Sequence, residues 1–196
     1  QTDINTQHNQ RAQYLIEETL KKYPLWTSSL LPTEESFNLA PTTAYNIGLA
    51  SWLLWESLNR ETQVKVKEML IKESNYQLLR NPASGYEKDT KAEENSIVPA
   101  LLVMTSQFFP EEQKAKLWED KARCFAYHTI TVNSDSAYCG LKTITAYDNF
   151  DMDNHNFGPH PLYMAAPLVH FADAALVYKA AGKNVPIEFH HNILPL

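Results

Sequence analysis

Residues 148–163, DNFDMDNHNFGPHPLY, bring together side chains that can take up, donate or stabilise charge. They include two imidazoles, one phenol and two amides, carried by His155, His160, Tyr163, Asn154 and Asn156. Such groups could remove a proton α to a carboxylate and expel a leaving group from the β carbon. An imidazole takes the proton, an amide stabilises the enediolate-like charge, and the phenol protonates the departing oxygen. The alternative interpretation is a polar loop whose side chains make ordinary turn and capping bonds.

The same segment also raises the question of a metal site. Asp148, Asp151 and Asp153 resemble calcium ligands, but the glycine and the closing glutamate of a calcium-binding helical loop are absent. The two histidines are five residues apart, which does not suit one helix face, and no HExxH motif occurs. The sequence therefore predicts no cofactor, and it leaves bound calcium or zinc open.

A second charged segment, residues 85–96 with the sequence GYEKDTKAEENS, precedes a long apolar run. Asp89 or Thr90 can cap a helix there, and acidic residues in a first turn suit the positive end of the helix dipole. That structural interpretation explains some of these residues but not the whole concentration of charge. Its members are candidate substrate-binding groups, namely Asp89, Lys91, Glu94 and Asn95.

Trp26 is a further substrate-binding candidate, because an exposed indole beside a cleft can stack on a sugar ring. Packing in the core is the more common fate of a tryptophan, and it is expected for Trp52 and Trp55.

The hydrophobic pattern indicates the scaffold that positions these groups. Six helices are predicted, over residues 7–23, 43–59, 61–80, 93–109, 111–131 and 161–181. The first, third and fifth are apolar on one side, whereas the second, fourth and sixth are apolar on most sides. A helix that is apolar all round must be buried, and a one-sided helix can cover it. We therefore expect one all-α domain over residues 1–196, built of two-layer α/α hairpins as in an α/α toroid, whether a partial or a complete ring.

Connection lengths indicate where a site should lie. The long predicted connections, residues 24–42, 81–91 and 132–160, all lead from an outer helix to an inner one. In antiparallel layers they would all lie at the same end of the scaffold. Long loops gathered on a rigid scaffold are where binding and catalytic sites are usually built.

Composition narrows the function classes. The chain is 44% hydrophobic and 20% charged with a net charge of −6, which suits a soluble globular protein. No basic stripe for nucleic acid and no apolar run long enough for a membrane span is present. Two cysteines allow at most one disulfide. Because the chain starts at Gln1, we expect a removed upstream segment and a secreted or periplasmic location, and the chain could be part of a longer polypeptide.

Two phrases, KDTKAEEN at 88–95 and DNHNFGPHPLY at 153–163, are similar to the motifs GDTKAEENAW and ENHGxxHPxY. These motifs belong to bacterial α/α-toroid proteins related to heparinase II/III-like polysaccharide lyases, and the resemblance covers roughly residues 40–180. It implies cleavage of an acidic polysaccharide by β-elimination without a redox cofactor. By that resemblance Asn154 would neutralise the uronate carboxylate and His155 would act as base or neutraliser. Tyr163 or His160 would complete the proton transfers.

The chain departs from that pattern in several ways. Asn156 stands where a glycine is usual, and Ser96 and Ile97 follow the EEN in place of tryptophan. Three hairpins make half of a six-hairpin ring, and the β domains usual in such lyases are missing. An exposed inner helix would require an additional domain or a second copy of the chain to cover it.

Three other functions remain open beside the lyase. An inverting glycoside hydrolase needs two carboxylates about 6.5–9.5 Å apart, which Asp89 or Glu94 facing Asp153 could supply. A non-catalytic helical module that binds carbohydrate or protein is the second alternative. A terpene-cyclase-like toroid is the third, although the aspartate spacing fits its magnesium motif poorly.

Overall fold

A computed structural model describes residues 2–30 and 40–193 of the chain. In these ranges the regular structure is helical, with two isolated β-bridges and no strand. The helices are α1 (Thr2–Lys21), α2 (Ala40–Leu53), α3 (Arg60–Leu78), α4 (Ala92–Phe108), α5 (Ala115–Tyr127) and α6 (Pro161–Ala180). Single 3-10 turns lie at Tyr23–Leu25, Ser28–Leu30, Trp55–Ser57 and Ile187–His190. The six predicted helices and the all-α class are confirmed, and the boundaries differ by a few residues.

Helix α4 forms the centre of the core. Every residue from Asn95 to Gln107 is buried, so the helix is enclosed on all sides as its apolar sequence predicts. It packs against α2, α3, α5 and α6. The amphipathic helix α5 covers α4 with a stripe at positions i, i+4 and i+7, namely Trp118, Ala122 and Phe125.

Helix α6 differs from the expectation for a fully buried helix. Its buried side faces α4 and Phe189, through residues such as Phe171 and Tyr178. Its other side exposes large apolar residues, including Leu162, Val169 and Leu176. The prediction that α6 is buried on most faces is therefore wrong for this chain. The helices pack against one another, and their arrangement as two-layer hairpins and as a ring remains a prediction.

No helix within the described residues combines the length and the hydropathy that crossing a bilayer requires.

The long connections gather at one end of the bundle. The second, residues 79–91, is bonded to the third, residues 128–160, through Gly85 N–H and Ile144 O at 2.8 Å and through Thr90 Oγ1–H and Thr145 O at 2.5 Å. The described part of the first connection is fixed to the C-terminal half of α3. There the buried carboxylate of Glu73 accepts hydrogen bonds from Tyr23, Thr27 and Ser28.

A disulfide fixes the start of the third connection. It joins Cys124 on α5 to Cys139 in the loop. The buried His128 ring lies beside it and bonds Thr143 Oγ1 at 2.8 Å and Tyr138 O at 3.0 Å. Both ring nitrogens of His128 therefore have partners, which is the usual state of a packed histidine.

Candidate functional site

Asp153 joins the two segments in which the sequence concentrates reactive groups. Its buried carboxylate accepts hydrogen bonds from the Lys88 amide at 3.0 Å and from the Tyr147 hydroxyl at 2.8 Å. Its carbonyl oxygen accepts from the Thr90 amide at 2.9 Å. Thr90 Oγ1 in turn accepts from the amide of Ala92, the first residue of α4, so the turn is continuous with the central helix.

Residues 153–160 form a closed turn before α6. Asp153 and Pro159 form an antiparallel bridge, and the Asn154 amide donates to Gly158 O at 3.1 Å. His155 and Asn156 have φ values of 44° and 72°, in the left-handed region that few residues occupy. This turn lifts the His155 ring out of the loop, and 64% of its side chain is exposed.

The turn brings the Asp89 carboxylate to one side of the His155 imidazole and the Tyr163 phenol to the other. Asp89 Oδ1 lies 3.2 Å from His155 Nδ1 and accepts from the His155 amide at 3.3 Å. On the other side of the ring, His155 Nε2 lies 3.1 Å from the Tyr163 hydroxyl. A carboxylate at Nδ1 favours the tautomer with its proton there, which leaves Nε2 free to accept the phenol proton. The result is a carboxylate–imidazole–phenol chain.

His160 lies immediately before α6 as its N-cap residue and is not part of the hydrogen-bonded chain. Its Nδ1 accepts from the Leu162 amide at 3.2 Å and thereby caps the helix. Its ring lies edge-on to Tyr163, with centroids 6.1 Å apart. The His155 ring makes a similar perpendicular contact with Tyr163 at 5.9 Å, so the phenol contacts both imidazoles.

Lys91 joins two carboxylates beside this chain. Its ammonium lies 3.2 Å from Asp89 Oδ2 and 2.9 Å from Glu94 Oε1. Burial works against the charged amine, but the bonds and charges of Glu94 and Asp89 outweigh it and raise the pKa of Lys91. Lys91 therefore remains charged and holds both acids in place.

The surroundings of Tyr163 carry negative charge. The pKa of the Tyr163 phenol is raised, most by burial and then by the nearby carboxylates of Glu93, Asp89 and Glu94. Burial and the charges of Glu94 and Asp89 also raise the pKa of the half-buried Glu93 carboxyl. Tyr163 is therefore set as a neutral proton donor rather than as a phenolate.

Beside His160, Lys91 and Glu94, three further predicted residues lie outside the hydrogen-bonded chain. Asn154 is adjacent to His155, and its Oδ1 is buried without a partner. Asn95 is 2% exposed, and its amide bonds the backbone of Ala83 and His128, which holds the two loops to α4. Trp26 donates from Nε1 to Thr19 O and packs edge-on against Tyr23, within the N-terminal hairpin.

The aspartates proposed as metal ligands are used separately. Asp148 accepts from the Asn133 amide, and Asp151 bonds Asn149, while Asp153 is the buried anchor described above. Over residues 2–30 and 40–193, one set of three ligand atoms lies close enough together for a metal, in Cys124, His128 and Cys139. The two sulfurs of that set are joined in the disulfide.

The candidate site is exposed to solvent at His155, of which 64% of the side chain is accessible. A cavity of about 540 Å³ is found between α1 and α3, lined among others by Leu20 and Met69, and it holds none of the predicted site residues.

Two residues of the site were not assigned from the sequence. Glu93 lies in the same KAEEN segment, whose acidic residues suit the first turn of a helix, and its charge raises the pKa of the Tyr163 phenol. Tyr147 holds Asp153, and no local pattern marks it. The position of Glu93 one residue before Glu94, in the first turn of the central helix, is the signal that could have identified it.

No protein family, no curated protein and no solved structure gave a match to this chain.

Proposed function

We propose that this chain is a carbohydrate-active domain that cleaves a uronate-containing polysaccharide by β-elimination. The supporting observation is the chain from Asp89 through His155 to Tyr163, placed at the end of the bundle where the long connections meet. An imidazole and a neutral phenol in contact provide the base and the acid that the reaction needs. The motif resemblance to heparinase II/III-like lyases supports the same assignment.

The proposed reaction uses the His155 imidazole as the base and the Tyr163 phenol as the acid. His155 Nε2 takes the proton from the carbon next to the uronate carboxylate, and the electrons of that bond form the new carbon–carbon double bond. The bond from the β carbon to the bridging oxygen breaks, and Tyr163 gives its proton to that oxygen. The imidazolium then returns its proton to the phenolate across the 3.1 Å contact, which restores both groups.

Asn154 is the proposed neutral donor to the uronate carboxylate. Its side chain stands between the buried Asp153 and the base, and the bonds that close the turn run through the main chain. A neutral donor stabilises the enediolate charge without a counter-ion, as an oxyanion hole does. The disulfide is compatible with the extracellular location that a polysaccharide substrate would require.

A product assay tests this function. Incubation with hyaluronan, alginate or polygalacturonate should yield an unsaturated uronate that absorbs ultraviolet light. We expect His155→Ala and Tyr163→Phe each to reduce the rate by about 10²–10⁴-fold, the range of general acid–base contributions. Matched controls are His8→Ala and Tyr14→Phe, which alter exposed residues of α1 and should leave the rate unchanged. Full activity in both site variants would refute the assigned roles.

A glycoside hydrolase is the second candidate, because Glu93 has the raised pKa that a general acid needs. Asp153, the carboxylate expected to oppose Asp89 or Glu94, is buried and bonded to Lys88 and Tyr147, so it is not placed to activate water. The products distinguish the two reactions, since a hydrolase gives new reducing ends without the ultraviolet chromophore. Loss of such reducing ends in Glu93→Gln would support this candidate.

A further inference from the structure

The end of α5 brings two sulfurs and an imidazole together, and none of them belongs to the proposed catalytic chain. Cys124 Sγ, Cys139 Sγ and a ring nitrogen of His128 all lie within 4.8 Å of one another. Cys124 and His128 are four residues apart, which places both side chains on one face at the end of the helix, while Cys139 belongs to the following loop. The two sulfurs are joined here as a disulfide, but every newly made chain carries them as thiols.

The spacing of these groups suits a divalent metal when the sulfurs are thiolates. In tetrahedral sites Zn²⁺ binds thiolate sulfur at about 2.3 Å, which sets two sulfur ligands about 3.8 Å apart. The Cα atoms of Cys124 and Cys139 are 6.1 Å apart, so rotation of the two side chains reaches that separation with little movement of the main chain. Two sulfurs and an imidazole nitrogen are typical ligands of zinc, whereas calcium and magnesium take oxygen.

His128 already has the hydrogen bonds that a metal-bound histidine makes. A carbonyl oxygen only accepts, so the ring nitrogen that faces Tyr138 O at 3.0 Å, Nε2, carries the proton. Nδ1 therefore holds the lone pair, and it accepts from the Thr143 hydroxyl at 2.8 Å. Metal-bound histidines usually donate their other ring N–H to a carboxylate or a main-chain carbonyl, which fixes the tautomer. If Nδ1 binds a metal, the Thr143 hydroxyl keeps its contact with Thr131 Oγ1 at 3.0 Å and is not left unpaired.

We propose that the dithiol form of this chain binds one Zn²⁺ through Cys124, Cys139 and His128, and that the metal and the disulfide exclude each other. Binding releases the two thiol protons and leaves the fourth position of the metal to water. A disulfide oxidant such as oxidised glutathione takes two electrons from the thiolates and two protons from solvent and becomes two thiols. The protein sulfurs are then joined and uncharged, so Zn²⁺ is released. The site is independent of the proposed lyase reaction, because it shares no residue with the catalytic chain.

Zinc binding is measured on the whole chain, both oxidised and reduced with a phosphine that is then removed without air. Competition with a chromogenic chelator gives the affinity and stoichiometry, and Co²⁺ in place of Zn²⁺ gives the absorption band of a thiolate ligand. We expect one Zn²⁺ per reduced chain. The oxidised chain should bind it more than about 100-fold less tightly, because losing even a group that only supports a ligand costs about 10–100-fold. Zinc should also raise the Tm of the reduced chain and leave that of the oxidised chain unchanged.

Single substitutions identify the ligands. Cys139→Ser changes an exposed loop residue, and His128→Gln replaces the buried ring; each should weaken zinc binding to the reduced chain by more than about tenfold. His190→Ala is the control, since it removes an exposed histidine of the nearby Ile187–His190 turn and should leave the affinity unchanged. Bound zinc should also slow alkylation of the thiols by about tenfold or more, because the thiolate is both the nucleophile and the ligand.

The outcomes decide the proposal without reference to the lyase assay. Equal zinc affinity of the oxidised and reduced chains, or no binding to the reduced chain, overturns it. Full affinity in Cys139→Ser or in a folded His128→Gln also overturns it, and if His128→Gln does not fold, the result for Cys139→Ser decides. Alkylation at the same rate with and without zinc would place the metal elsewhere and would overturn the assignment as well.

Discussion

The disulfide between Cys124 and Cys139 allows a stability prediction that is independent of any substrate. The two cysteines are 15 residues apart, and the bond closes the beginning of the connection that carries the site. In the loop-closure model, cross-linking a loop of that length lowers the entropy of the unfolded chain and stabilises the fold by about 3 kcal/mol. For a chain of this size, each kcal/mol corresponds to about 2–4 °C in Tm. We therefore expect Tm to fall by about 6–12 °C when the bond is removed.

Cys139→Ala is the best variant for this measurement. Cys139 is exposed, whereas Cys124 is buried on α5, so replacing Cys139 removes the cross-link with little loss of packing. Tm and urea unfolding should be measured with and without a thiol reductant. The wild type should respond to the reductant and the variant should not. The urea m-value of the variant should also rise, because its unfolded chain is less compact.

An unchanged Tm in Cys139→Ala would refute this account, since the cross-link would then contribute no net stability. A loss much greater than that expected would mean that the bond also holds native packing around the buried His128 ring. The site should be affected less than the stability, because Asp153 holds the two site loops together through separate hydrogen bonds. Below the variant's Tm, the imidazole signals of His155 in an NMR spectrum should therefore match those of the wild type.

Three further predictions concern single residues, and urea unfolding measures each. Asp153→Ala should lower the free energy of unfolding by about 2–4 kcal/mol, because two donors lose a buried carboxylate; a smaller loss would mean that water replaces it. Gly48→Ala should destabilise the protein, because the added Cβ would lie 2.9 Å from Met104 Cγ. Overpacking costs about 1–3 kcal/mol, which exceeds the gain of up to about 1 kcal/mol in helix propensity. Greater stability of the variant would contradict the packing described. Burial opposes ionisation of Glu188, but hydrogen bonds from Arg123 and Tyr138 outweigh it and lower the pKa of this carboxyl. The charged Glu188 therefore stabilises the fold above the ordinary pKa of a glutamate, and that stabilisation is lost as the pH falls through the lowered pKa. Glu188→Gln should therefore cost about 1–3 kcal/mol at neutral pH and progressively less in acid, whereas a pH-independent difference would point to packing alone.

Hydrophobic periodicity predicted the helices well, because burial of one face or of all faces leaves a clear pattern in sequence. The central helix α4 shows this most clearly, since its apolar run is enclosed along almost its whole length. The failure for α6 has a physical cause as well. The sequence of a helix records that its faces are apolar, but it does not record which partner covers them, and Val169 is exposed in this chain.

The site was predicted less completely than the fold. The segments were found because long connections collect at one end of layered helices. The pairing of Asp89 with His155 joins residues 66 positions apart, and no local pattern encodes such a contact. Asn95 shows the opposite problem, because a polar residue next to reactive ones proved to be committed to backbone groups of Ala83 and His128.

The charges around the site indicate whether the Tyr163 phenol or the His155 imidazole acts as the base. A phenol becomes a base only when its pKa is lowered, and the carboxylates around Tyr163 raise it instead. At His155 the Asp89 carboxylate lies 3.2 Å from Nδ1 and orients the ring, so that Nε2 is the nitrogen left to accept a proton. The carboxylates that keep Tyr163 protonated therefore include the one that orients the His155 ring. If His155→Ala were to leave the rate of elimination unchanged while Tyr163→Phe abolished it, the base would have to be the phenol, and this assignment would be reversed.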